Sequence, residues 1–157
     1  MSGKQKDNFS PRIANRRALH EYSITAKLEC GMALMGSEVK SLRAGRAQLQ
    51  EAYARVENGQ LILYGCHIEP YLKAAIAYNH DPLRPRKLLA HKREIDRLEE
   101  ETKLPGTTLI PLAIYFKDGR AKVEIAVGHG RNRYDKRDAI KKKEMAREVR
   151  RAMTHRQ

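Results

Sequence analysis

Six histidines, two cysteines and nineteen carboxylates are the side chains through which this chain could do acid–base, nucleophilic or metal chemistry. A hydrolase or nuclease needs a nucleophile, a base and a group that orients the base, or a set of metal ligands. His20, His67, His80, His91, His129 and His155 stand at no ligand spacing from one another, from a cysteine or from a carboxylate. Cys30 and Cys66 are isolated, so they read as two small buried or half-buried side chains in a reducing cytosol. No nucleophile elbow, phosphate loop or dinucleotide fingerprint occurs, and Gly128-His129-Gly130 is too short to cradle a phosphate. The sequence predicts no enzyme, no metal and no cofactor. A histidine acid–base nuclease is the minor catalytic alternative.

The other chemistry on offer is recognition of phosphate. The chain has 32 Lys and Arg against 19 Asp and Glu, a formal charge of +13. That excess favours a polyanion, nucleic acid before an anionic membrane or an acidic protein. The cations come in groups. Arg16 and Arg17 precede the first strand. Lys40 and Arg43 lie on a short helix, turned away from Val39 and Leu42. Residues 79–87 form a loop in which two prolines hold Arg84, Arg86 and Lys87. Arginine donates two parallel hydrogen bonds to a phosphate, so these clusters together suggest a groove that tracks a backbone. Tyr78 and Tyr134 lie beside cations, where an unpaired base could stack.

The elements that must position these groups are short. Tyr22, Ile24, Ala26 and Leu28 alternate with polar residues and predict a half-buried strand, ended by Cys30-Gly31. Residues 32–35 are expected to pair back as a second strand. Residues 38–44 predict a helix with Ser37 as N-cap and Gly45 just past its end. Asn58-Gly59 and Asp118-Gly119 predict two hairpins, because both dipeptides accept the positive φ of a type I′ turn. In the second hairpin Ile110, Leu112, Ile114 and Phe116 are expected to face inward, opposite Ala121, Val123, Ile125 and Val127. Arg120, Lys122 and Glu124 would face out. Pro111 removes a ladder donor, which predicts an edge or a local bulge. Residues 91–103 predict the longest helix of the body, with Ile95 and Leu98 inward and Pro105-Gly106 as its stop. The fold class expected is mainly β: a small antiparallel barrel with helices covering its ends.

Three zones divide the chain: a mobile basic arm over 1–17, a barrel over 18–128 and a basic tail over 129–157. The tail carries eleven Lys and Arg against four Asp and Glu. Its residues are good helix formers, yet Met145, Val149, Ala152 and Met153 make only a thin apolar stripe. The tail should therefore be disordered when free and helical when a polyanion neutralises Lys141, Lys142, Lys143, Arg147 and Arg150. No apolar run approaches the roughly 20 residues that span a bilayer. A cytoplasmic monomer without membrane partners is expected.

Several segments, in order, resemble one family. They are NRRALHEY at 15–22, GSEVKSLRAG at 36–45, NHDPLRPRKLL at 79–89, TLIPLAIYFK at 108–117 and YDKR at 134–137. Together they resemble small protein B, the SsrA-binding proteins of bacterial trans-translation. The resemblance implies an OB-like barrel with about three flanking helices. It implies binding to the tRNA-like domain of transfer-messenger RNA and action on stalled ribosomes, with elongation factor Tu acting indirectly through the alanyl-charged RNA. It implies RNA-binding roles for Asn15, Arg16, Glu38, Lys40, Ser41, Arg43, Asn79, His80, Arg84, Arg86 and Lys87. In the tail it implies contacts with small-subunit rRNA, the decoding centre and the mRNA channel. Those fall to Arg131, Arg133, Tyr134, Asp135, Lys136, Arg137, Lys141, Lys142, Lys143, Arg147, Arg150 and Met153. The usual Gly-Lys-Lys before the tail signature is here Gly128-His-Gly-Arg-Asn-Arg133, which changes the hinge and keeps two cations. A constitutive ribosomal or assembly protein that binds rRNA is the alternative from another class.

Overall fold

The computed structural model describes residues 11–130 and 133–154, with the backbone alone for 133–140. In chain order the elements are β1 (Ile13–Ala14), α1 (Ala18–Glu21), β2 (Tyr22–Met32), α2 (Gly36–Arg43), β3 (Ala47–Gln48), β4 (Tyr53–Glu57), β5 (Gln60–Tyr64), β6 (His67–Ile68), a 3₁₀ turn (Ile76–Tyr78), β7 (Arg86–Leu89), α3 (Lys92–Thr102), β8 (Thr107–Lys117), β9 (Arg120–Gly130) and α4 (Arg133–Thr154).

Every strand pairing is antiparallel. The main sheet runs β8-β4-β5-β7-β2-β9, and β9 pairs back onto β8. That last pairing closes a ring of six strands, the mainly β barrel with helices around it that the sequence predicts. Both hairpins form as predicted. Asn58 and Asp118 take φ of 49° and 51°, followed by Gly59 and Gly119 at 73° and 75°. The two strands of the second hairpin, β8 and β9, are the longest pair in the barrel.

Three expectations are corrected. Cys30-Gly31 does not end β2. The strand continues to Met32 and pairs with β7 through Gly31 and Met32, so residues 32–35 make no second strand. In β8 the ladder slips between Pro111 and Ala113. The bulge reverses the alternation before it, because side chains on a strand change face at every residue. Leu109, Ile114 and Phe116 therefore join the core, whereas Leu112 does not. Ile110 is buried elsewhere, against Gly128 and Tyr22. Pro111 thus marks a bulge on a paired strand, not an edge. Finally, the arm expected over 1–17 is built into the body from Ile13. β1 pairs with β8, and the Asn15 amide donates to Leu112 O at 2.7 Å, at the bulge.

Inside the ring Leu61, Leu63, Leu88, Ile114, Val123 and Ile125 are fully buried. α3 closes one opening with Ile95 and Leu98, as its spacing predicts, and His91 is its N-cap. Gly65 takes φ +69°, and a Cβ there would sit 2.5 Å from Glu51 O, so only glycine fits this corner between β5 and β6. No helix among the described residues is long and apolar enough to cross a membrane.

Candidate nucleic-acid interface

α2 is the element that presents cations, and its start explains how it is held. Met35, not Ser37, is the N-cap. Glu38 reaches back so that its Oε1 accepts the Met35 amide at 2.9 Å. Ser37 instead bridges to the loop before β7, its Oγ lying 2.8 Å from His80 Nδ1. His80 Nε2 lies 2.9 Å from Ile68 O, a carbonyl that only accepts, so Nε2–H donates there and ties the ring to β6. Ser41 donates to Glu69 O at 2.6 Å. At the far end Gly45 takes φ +73°, the left-handed turn expected just past a helix.

Glu38 is the centre of a buried ion cluster. One carboxylate oxygen accepts from Arg84 and the other from Arg86 Nε. Arg86 is fully buried and also donates to Cys66 O, to Asp81 O at 3.3 Å and to Pro82 O at 3.1 Å. Burial pushes the Glu38 carboxyl up. The Met35 amide and the two guanidiniums outweigh that and hold it below its ordinary value. One carboxylate against two guanidiniums leaves a positive charge over, and the Arg84 side chain, 34% exposed, carries it to the surface.

Above this lattice α2 turns Lys40 and Arg43 outward. The Lys40 ammonium stands 5.2 Å over the Tyr71 ring. The Arg43 guanidinium stands 4.5 Å over Phe116 and reaches Gly119 O at 3.4 Å. Beside Arg43 lies an open groove of about 400 Å³ whose floor includes Met32, Val39, Leu89 and Phe116 and whose rim carries Arg120 and Lys122. An apolar floor with a cationic rim suits a base lying against the floor and a phosphate against the rim.

The predicted site residues thus separate into two sets. Glu38, Ser41, His80 and Arg86 are buried and brace α2 from below. Asn15 is also buried, its Nδ2 donating to Leu49 O at 3.2 Å and Pro111 O at 3.0 Å, so it pins β1 and the β8 bulge. Asn79 holds the Tyr71 backbone twice, at 3.1 Å and 2.9 Å. Arg16, Lys40, Arg43 and Lys87 are exposed. Sequence reasoning misses the groove itself: it gives Arg120 and Lys122 only as outward residues, and Phe116 only as core. The signal available is the outward alternation of cations on β9 beside the helix cations. In the tail, the side chains of Arg131, Arg133, Tyr134, Asp135, Lys136 and Arg137 lie outside the described residues. Those from Lys141 to Thr154, including Arg147, Arg150 and Met153, are all exposed along α4.

The thiols do not compete as a catalytic centre. Burial pushes Cys30 and Cys66 up to about 12 and about 11, away from thiolate chemistry at neutral pH. Among the described residues no three His, Cys, Asp or Glu side chains converge as a metal site.

Known proteins place the chain. The family model described as SmpB protein matches residues 12–155. The SsrA-binding protein of Desulforudis audaxviator is 54% identical over 138 residues, 88% of this chain and 90% of that one. That of Syntrophomonas wolfei is 49% identical over 98% of both chains. A chain from the solved structure "tmRNA-SmpB: a journey to the center of the bacterial ribosome" superposes with a TM-score of 0.68 at 45% identity, covering 83% of this chain and 95% of that one. This chain belongs to the SmpB protein family.

Proposed function

We propose that this protein is a binding adaptor, not a catalyst. It grips the tRNA-like domain of SsrA RNA, the transfer-messenger RNA, and brings it to stalled ribosomes for trans-translation. The observation that carries the reading is the braced face of α2. Lys40 and Arg43 are displayed over aromatic rings beside a groove with an apolar floor and a cationic rim. The names of the relatives and the subject of the superposable structure support the same partner. Elongation factor Tu takes part through the aminoacylated RNA, and the protein acts in the cytoplasm as a monomer.

The tail does separate work. It begins beyond Gly130, the last residue of β9 and not part of the tail, and works as a helix on the ribosome, where Tyr134 to Arg137 engage the decoding centre and Lys141 to Met153 follow the empty mRNA channel. The exposed α4 side chains from Lys141 to Thr154 support a helix that packs on a partner and not on the barrel. Twenty-two residues of helix extend about 33 Å at 1.5 Å per residue, well past one codon. A message still filling the channel would exclude the tail sterically, which makes the reading selective.

Truncation after Gly130 tests the division. The shortened protein should keep its affinity for the tRNA-like transcript and lose peptide tagging on stalled ribosomes. Equal loss of both would refute the two-part reading. A constitutive ribosomal protein would instead sediment with translating and stalled ribosomes alike.

A further inference from the structure

Between β6 and β7, residues 69–85 form a loop whose base is pinned and whose tip is bare. At the base the Ile68 amide donates to Pro82 O at 3.0 Å, Asn79 clamps the Tyr71 backbone on both sides, and buried Arg86 holds two loop carbonyls. Within the loop the amides of Ala74, Tyr78 and Asn79 close turns onto Tyr71, Ala75 and Ile76 carbonyls. At the tip Leu72, Ile76 and Tyr78 are 78%, 97% and 79% exposed. A single exposed apolar side chain is ordinary. Three on a loop fixed by so many hydrogen bonds form a surface held ready for a partner.

Charge decides which partner. Lys73 and Arg46 are exposed and line a cleft of about 140 Å³ with Pro70 and Leu72, and Lys40 stands over Tyr71. The two acids of the loop offset little of this: Asp81 is engaged by the Leu83 amide at 3.0 Å, and Glu69 is half-buried at the base. Lys40 and Arg43 sit one turn apart on α2, Lys40 over Tyr71 and Arg43 over Phe116, so the same basic helix face meets both the loop and the Phe116 groove.

We propose that this loop is a second contact for SsrA RNA: the Tyr78 ring stacks on an unpaired base, Leu72 and Ile76 flank it, and Lys73, Arg46 and Lys40 meet the adjoining phosphates. The proposal rests on the RNA-binding reading above and extends it to residues outside the α2 groove.

The chain contains no tryptophan, so Tyr78→Trp introduces a single indole reporter at an exposed position. Titrating the full-length variant with the tRNA-like transcript should quench the indole. Tyr78→Ala should weaken binding about ten-fold, within the range for one stacked base, and Tyr78→Phe should keep it. If Tyr78→Ala binds like the parent while Lys40→Ala combined with Arg43→Ala binds weakly, the loop proposal falls and the RNA reading stands. If neither change weakens binding, both fall. An indole silent with the transcript but blue-shifted by ribosomes would overturn the proposal in favour of a ribosomal partner for the loop.

Discussion

Replacing Glu38 with Gln would leave Arg86 buried beside a neutral amide. Breaking a buried pair by removing one partner costs about 3–5 kcal/mol, so Glu38→Gln should unfold at markedly lower denaturant concentration. The dependence on pH has a definite sign. The Glu38 carboxyl sits below its ordinary value of 4.5 in the folded protein, so its contribution is complete above that value. It is lost as pH falls through the lowered folded value. Urea titrations across pH 2–6 should therefore show an acid limb in the parent that is flatter in Glu38→Gln. Lys40→Ala, on the exposed side of the same helix, should leave the denaturation midpoint nearly unchanged and weaken RNA binding instead. The contrast separates the bracing layer from the contacting layer within one turn of helix. Gly65→Ala should behave like Glu38→Gln. A left-handed φ costs about 1–2 kcal/mol for an L-residue, and here the added methyl also meets Glu51 O.

The elements were readable from sequence wherever one residue pair decides the geometry. Asn58-Gly59 and Asp118-Gly119 each dictate a turn, and Ile95 with Leu98 orient α3. The β8 bulge was only half readable: Pro111 announces an irregularity, but not that the strand changes phase across it, since partners on both sides decide that. The pairing of Glu38 with Arg86 was not readable at all. Forty-eight residues separate the partners, and each alone looks like a surface charge near RNA. Local pattern thus gave the elements, and long-range pairing decided which charges face inward. For α4 the prediction concerns conditional order. An isolated peptide of residues 129–157 should show little helix by circular dichroism at low salt, because like charges repel along it. Helicity should rise on adding an RNA oligonucleotide. A peptide already fully helical in dilute buffer would contradict a tail that orders on binding.

The whole molecule carries +13, and exposed cations lie both on α2 and along α4. RNA affinity should fall linearly with the logarithm of salt concentration, each phosphate contact adding roughly 0.7–0.9 to the slope. Removing Lys40 and Arg43 together should reduce the slope by about 1.4–1.8 and weaken different RNA sequences alike. Truncation of the tail should leave the slope for the isolated tRNA-like transcript close to that of the full chain, while lowering the slope for ribosome binding.

The ring closes through β9, and this has a consequence in time. β2 is complete at Met32, but its main partner runs from Arg120 to Gly130. At about 5–20 residues per second, β2 waits on the order of 5–20 s during synthesis with that edge open. A nascent chain halted anywhere in that interval cannot finish its barrel and keeps an unpaired strand edge, the feature that invites misassociation. The intact protein is thus separated from its own unfinished translation products by a single late hairpin. Pulsed proteolysis of arrested chains should find protection of β2 only once Gly130 has been added and has left the exit tunnel.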